Sequence, residues 1–158
     1  MKLNQKGITL IELLAALAIA TIILSSVYGF TTTMLKSSNK TQVDTNIRNE
    51  TIIITERLNT IFENANVVEE IETSEPGNIS FKIIDFNRII NVNNEYGVSV
   101  KNNALSIDTE IINSPRVKIT NPNATEKNNS LYFSFEIVDK DNVSNSKKVN
   151  LIYPLEGE

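Results

Sequence analysis

The sequence predicts an α+β fold, in which one long N-terminal helix packs on a C-terminal head built from an antiparallel β-sheet. Two observations predict it. No proline and no glycine occurs between Thr31 and Pro76, although apolar residues recur there at helical spacing. After Pro76 the pattern changes to short β-branched and aromatic stretches separated by turn residues. A chain of 158 residues suffices for one such domain.

The first half of the helix has the composition of a membrane span. The run of residues 8–24 is apolar except for Thr9, Glu12 and Thr21. Counted to Phe30 it has about 20 residues, enough to cross a hydrocarbon core of about 30 Å. Lys2 and Lys6 precede the run, and positive residues favour retention of that end in the cytoplasm. We therefore predict a single-pass protein of the cytoplasmic membrane, with its N-terminus in the cytoplasm and its head outside.

The second half of the helix, residues 31–66, is amphipathic. Its apolar positions recur at intervals of three, four and seven residues. They are Val43, Ile47, Ile54, Leu58, Ile61 and Phe62. This stripe predicts the face that packs on the sheet of the head, and it gives four segments in all: 1–7, 8–30, 31–66 and 67–158.

The head, residues 67–158, is predicted to be β-rich. Strand candidates are residues 67–73, 79–84, 86–92, 96–100, 104–109, 116–120, 131–138 and 147–153. Residues 131–138 give the strongest alternation, with Leu131, Phe133, Phe135 and Ile137 on one face. Turns are predicted at Glu75-Pro76-Gly77-Asn78, Asn93-Asn94-Glu95, Lys101-Asn102-Asn103 and Asn121-Pro122-Asn123.

The composition argues against several functional classes. The chain has no cysteine and no histidine, so thiolate chemistry and the commonest general base and zinc ligand are missing. A net charge of −4 argues against direct nucleic-acid binding. No catalytic residue and no cofactor is predicted, and we expect the chain not to be an enzyme. Asp139 and Asp141 place oxygen ligands close together for calcium, but a solvated loop explains the pattern better.

Glu12 is the anomaly of the apolar run, because a carboxylate at the centre of a membrane span costs about 3 kcal/mol. A cleaved secretory signal would use Ala18-Ile19-Ala20, but the apolar run continues beyond that triplet. A plain membrane anchor explains the length and the lysines but gives Glu12 no purpose. A third interpretation rests on a resemblance carried by the residues around Glu12.

The stretch Lys6-Gly7-Ile8-Thr9-Leu10-Ile11-Glu12-Leu13-Leu14 resembles the processing and methylation motif of the type IV pilin and pseudopilin superfamily. The resemblance implies a leader cut between Gly7 and Ile8 by a prepilin peptidase, which also methylates the new N-terminus. Ile8 stands where the family most often has phenylalanine. Glu12 becomes the fifth mature residue, the acid that the family uses in assembly.

The chemistry agrees with that implication. Cutting after Gly7 creates an ammonium at Ile8, one helical turn from Glu12. If Ile8 of one subunit meets Glu12 of its neighbour, the ion pair also fixes the axial register between them. N-methylation keeps the positive charge. The alternative is that Glu12 lies at headgroup depth and is simply solvated.

The sequence therefore predicts a minor pilin or pseudopilin, a structural subunit of a filament of type II secretion, competence DNA uptake or type IV pilus machinery. It is similar to the J-type minor pseudopilins and to competence subunits of Gram-positive bacteria. The resemblance implies as partners other pilin subunits, the prepilin peptidase, the inner-membrane assembly platform and membrane lipid. The filament would lie at the cell surface. The alternative is an unprocessed single-pass anchor carrying an extracellular binding domain.

Overall fold

The computed structural model describes residues 9–63, 65–87 and 92–155. These residues form one helix, α1 (Leu10–Phe62), followed by eight strands. The strands are β1 (Val67–Glu75), β2 (Asn78–Asn87), β3 (Val92–Lys101), β4 (Ala104–Ile107), β5 (Glu110–Ile111), β6 (Val117–Lys127), β7 (Ser130–Asp139) and β8 (Ser146–Pro154). The α+β prediction is confirmed. By its contacts the chain forms two compact units, Met1–Gln42 and Val43–Glu158.

The described part of the N-terminal unit is the first part of α1. This part of the helix contains a stretch long and apolar enough to cross a membrane, and none of that stretch is buried within the protein. The helix continues through Gly29, around which there is open space. An apolar helix exposed on all sides needs lipid or other helices around it, because water solvates such a surface poorly.

The C-terminal unit begins with the amphipathic part of α1. Its buried residues are Ile47, Ile54, Leu58 and Phe62, spaced by seven, four and four residues. They are members of the predicted stripe, and Val43 and Ile61 pack against the same core half-buried. The helix ends at Phe62, four residues before the predicted end, and β1 follows at Val67.

The strands form two antiparallel sheets. The larger has the order β1-β2-β3-β4-β5 and the smaller the order β6-β7-β8, so each strand pairs with its sequence neighbour within its sheet. One continuous core joins the two sheets and the helix, and its largest fully buried side chains include Phe81, Phe133 and Phe135. The ring of Phe81 meets Phe133 edge-on at 5.2 Å between centroids. This arrangement is a favourable one for aromatic pairs.

One predicted turn is wrong. Asn93, Asn94 and Glu95 lie within β3, where Asn94 pairs with Asp85 and Glu95 with Ile84 of β2. The Asn94 side chain donates to the Asp85 carboxylate at 3.3 Å, so a cross-strand contact uses a residue that elsewhere favours turns. Residues 88–91, between β2 and β3, lie outside the described residues.

A second predicted turn, Asn121-Pro122-Asn123, is instead an irregularity inside a strand. β6 runs through it, with a shift of register between Thr120 and Asn123 against β7. Proline cannot donate to a ladder, and bulges are among the places where strands tolerate it. By contrast, Asn102 and Asn103 form the predicted turn between β3 and β4, both with positive φ.

Tyr153 of β8 packs against α1 and is hydrogen-bonded to it. Its ring stacks on Phe62 with centroids 3.8 Å apart, and its hydroxyl donates to Oδ1 of Asn59 at 2.8 Å. Burial raises the pKa of this phenol above its ordinary value. Burial favours the neutral phenol in the folded state. The stabilisation that Tyr153 gives to the folded state is therefore fully present below a pH of about 10 and is lost as the pH rises beyond that.

We expect Tyr153→Phe to lower the free energy of unfolding by about 1 kcal/mol at neutral pH, since it removes one hydrogen bond and keeps the stacked ring. We also expect the variant to lose less stability than the parent between pH 10 and pH 12. Urea unfolding of the full chain in mild detergent across this range measures both effects. Equal alkaline losses in the two proteins would contradict the role of Tyr153.

Candidate functional site

The start of α1 is built by a reciprocal pair of side chains, Thr9 and Glu12. The backbone N–H of Thr9 and its hydroxyl each donate to Oε2 of Glu12 at 2.9 Å. The backbone N–H of Glu12 points back to Oγ1 of Thr9 at 3.4 Å. With α1 beginning at Leu10, Thr9 is the N-cap and Glu12 the third helical residue, which is a capping box.

The capping box gives Glu12 a structural role that sequence reasoning missed. The signal was present as threonine followed three residues later by glutamate at the start of an apolar run. A carboxylate in the first turn is also favoured by the helix dipole. Glu12 is exposed in the isolated chain, so its second oxygen and its charge remain accessible to a partner.

Further polar residues of the apolar segment are satisfied within the helix. The hydroxyls of Thr21, Ser26 and Thr31 donate to the backbone carbonyls four residues earlier, at 2.7, 2.9 and 2.8 Å. A hydroxyl that is bonded in this way costs little in hydrocarbon, where water is absent. Among these polar interruptions, Glu12 therefore stands out as the one with a charge.

The predicted processing residues, Gly7 and Ile8, lie outside the described residues. The cut between them, the methylation of Ile8 and the ion pair of Ile8 with Glu12 therefore stay predictions. The structure places Glu12 in the first turn of α1, three residues after Thr9. An ammonium created at Ile8 would belong to the residue directly before the N-cap.

Residues 2–28 match the family model described as the prokaryotic N-terminal methylation motif. The N-terminus is a prepilin-type methylation motif. This motif supports the type IV pilin and pseudopilin superfamily, while nothing in the match distinguishes a J-type subunit. No curated protein and no solved structure gives a significant match to the chain.

A prepilin-type motif followed by an exposed apolar helix indicates a membrane-anchored, surface-exposed subunit that assembles with other pilin subunits. It implies processing by a prepilin peptidase, and it points to a structural subunit and not to an enzyme. The exposed apolar helix agrees with this motif, because such a surface needs an apolar surrounding.

The loop that contains the possible calcium ligands Asp139 and Asp141 has its own hydrogen-bond network. Oδ1 of Asp139 accepts the backbone N–H groups of Asp141 and Asn142 at 3.0 and 2.8 Å. Asp139 is buried, whereas Asp141 is exposed. No group of three or more possible metal-ligating acidic residues occurs in the described part of the chain. Calcium at Asp139 and Asp141 stays an untested prediction.

We expect Thr9→Ala to loosen the first turn of α1, because it removes the side chain that caps the helix. Loss of a threonine cap should speed hydrogen exchange by about fivefold at the amides of Glu12 and Leu13, which donate to Thr9, in the detergent-solubilised chain. Thr9→Ser, which keeps the hydroxyl, is the matched control and should exchange at nearly the parent rate. Equal exchange in Thr9→Ala and the parent would contradict the capping role.

Proposed function

We propose that this chain is a minor pilin or pseudopilin, a structural subunit of a short type IV pilus-like filament. The methylation motif over residues 2–28 carries the proposal. In the proposed sequence of events the leader, residues 1–7, is removed after Gly7, and Ile8 becomes the methylated N-terminus. The segment 8–30 leaves the membrane for the filament, while residues 31–66 hold the β-rich head, residues 67–158, outside.

The chemistry of the described residues supports assembly through the helix. In the precursor, Glu12 accepts hydrogen bonds from Thr9, and no cation among residues 9–63, 65–87 and 92–155 is bonded to it. Processing supplies the ammonium of Ile8, and a neighbouring subunit brings it to Glu12. In hydrocarbon the attraction of two opposite charges is strong, so this pair gives the subunits both affinity and register.

The proposal extends to the surroundings of the protein. The lysines of the leader keep the N-terminus in the cytoplasm, so the head faces outward. The filament would then involve an inner-membrane assembly platform and membrane lipid, in a Gram-positive bacterium. Secretion, competence DNA uptake and pilus machinery would each use a subunit of this kind.

Replacing Gly7 by valine tests the proposal. We expect the variant to keep its leader, to remain at the precursor mass and to be absent from sheared filaments, since the cut requires the glycine before it. Gly29→Ala is the matched control, because open space surrounds Gly29 within the helix and the added methyl meets nothing. The control should be processed and assembled like the parent.

The alternative function, an unprocessed membrane anchor with a binding domain, gives the opposite result. In that case the parent itself keeps residues 1–7, and Gly7→Val changes neither its processing nor its surface exposure. A parent protein that retains its leader in the presence of an active prepilin peptidase would overturn the proposed function.

A further inference from the structure

In the C-terminal unit, β8 lies alongside α1, and two cavities open between them at different heights along the helix axis. At one height Ser146 and Lys147 lie beside Asp44 and Arg48 of the helix. At the other, Tyr153 lies beside Asn59, to which it is hydrogen-bonded. The strand therefore follows the helix for several turns, and its two ends present different surfaces.

The second height forms an open cavity of about 1030 Å³, which we name the helix–strand groove. Its floor is the stacked pair of Phe62 and Tyr153, both largely buried. Ile52, which is 53% exposed, and the exposed Pro154 add accessible apolar surface. The exposed carboxylates Glu56 and Glu63 also line it. The Tyr153 hydroxyl is already bonded to Asn59, so the groove offers an occupant chiefly apolar area and negative charge.

The first height carries the β7–β8 loop, residues 140–145, which exposes an apolar side chain. Val143 is 72% exposed at its tip. The loop is held by its own hydrogen bonds: Asp139 accepts two backbone N–H groups, and the backbone of Asn145 donates to the carbonyl of Asn142 at 2.9 Å. A loop that is already ordered loses little entropy on docking.

The loop and the groove have complementary charges. Lys140 and Lys147 stand on either side of Val143 in the chain, and both are exposed. With Arg48 of the helix beside them, these lysines outnumber the exposed carboxylates at this height, Asp141 and Asp44. The groove has Glu56 and Glu63 beside an apolar lining, which matches a valine between two lysines.

We propose that the β7–β8 loop of one copy of this chain docks into the helix–strand groove of a second copy. The proposal rests on the proposed function, because it names the contact between heads that would accompany packing of the helices. The two patches are different surfaces at different heights along α1. Two copies anchored in the membrane in the same orientation cannot pair patches at different heights reciprocally, so the contact is heterologous and leaves a free loop at one end and a free groove at the other.

Disulfide cross-linking tests the contact directly, because the natural chain has no cysteine. Full-length Val143→Cys and Thr60→Cys, carrying tags of different size, are expressed together in cells and oxidised. We expect a disulfide-linked species that contains both tags. Val143→Cys alone and Thr60→Cys alone should each remain monomeric under the same oxidation.

The matched control replaces Val143→Cys by Ile111→Cys, since Ile111 is a similarly exposed apolar residue, at 62%, on β5. This pair with Thr60→Cys should give no cross-link. Adding Lys140→Glu and Lys147→Glu to the loop partner should reduce the yield several-fold, and Glu56→Lys with Glu63→Lys in the groove partner should restore it. A charge reversal without effect would overturn the electrostatic part.

The outcomes separate this inference from the proposed function, because the N-terminus of the same samples is analysed in parallel. A processed N-terminus with no cross-link, or with a cross-link from Val143→Cys alone, overturns the loop-in-groove contact and leaves the proposed function standing. An N-terminus that keeps residues 1–7 overturns the proposed function itself, whether or not the heads cross-link.

Discussion

Replacing Glu12 by alanine is expected to abolish filament assembly while leaving the cut after Gly7 largely intact. The substitution removes both roles of the side chain, the cap on Thr9 and the charge that awaits the ammonium of Ile8. Filaments sheared from the cells measure assembly, and the apparent mass of the membrane-bound protein measures processing.

Glu12→Gln separates the two roles of Glu12. Glutamine at the third helical position still completes a capping box, because its amide oxygen accepts from the N-cap residue. It carries no charge and cannot form the ion pair. We expect Glu12→Gln to keep the ordered first turn, measured by hydrogen exchange at the amides of residues 12 and 13, and still to fail in assembly.

Thr9→Ala is the complementary variant, since it weakens the cap and keeps the charge of Glu12. We expect it to assemble far better than Glu12→Gln. Normal assembly of Glu12→Gln, together with failure of Thr9→Ala, would show that capping and not charge is what the filament needs from this turn.

The second large effect is expected in the core of the head. Phe133 is fully buried in the middle strand of the β6-β7-β8 sheet, between the rings of Phe81 and Phe135. Phe133→Ala should lower the free energy of unfolding by about 3–5 kcal/mol, because it deletes buried area and leaves a cavity. Natural domains have only about 5–15 kcal/mol in total, so we expect the variant to be largely lost to proteolysis in cells.

Tyr132→Ala is the matched control for Phe133→Ala. Tyr132 is the preceding residue of β7, faces the other side of the sheet and is 38% exposed. Tyr132→Ala should lower the free energy of unfolding by well under half as much as Phe133→Ala does. Urea unfolding of the full chains in mild detergent gives both values. Equal costs for the two variants would contradict the alternation of faces along β7.

Much of this fold could be predicted from the sequence because its patterns are strong where one side is buried. The stripe Ile47, Ile54, Leu58 and Phe62 and the alternation in β7 each place apolar residues at the period of the element. The division of the strands into two sheets could not be predicted, because pairing between strands depends on contacts that are distant in sequence.

Asparagine caused the errors in the turns. At Asn102-Asn103 the chain does turn, with both residues at positive φ, whereas Asn93 and Asn94 lie near the end of the ladder between β2 and β3. Asparagine favours turns but also fits a strand that pairs with a neighbour, so local preference alone does not decide between the two structures.

For the candidate site, the sequence predicted a role for the charge of Glu12 in assembly, but it did not predict the capping box. The resemblance assigns Glu12 a partner in a neighbouring subunit, whereas Thr9 is its partner within the same chain. The two interpretations are compatible. One Glu12 oxygen holds the helix start, and the negative charge is available to the neighbour's ammonium.

We expect processing to create, at Ile8, the ammonium that pairs with Glu12. The most direct measurement is mass spectrometry of the N-terminal peptide of the full-length protein, purified from cells that contain a prepilin peptidase. We predict a peptide that begins at Ile8 and carries one methyl group on its amine. A peptide that begins at Met1, with Lys2 and Lys6 still attached, would contradict the account.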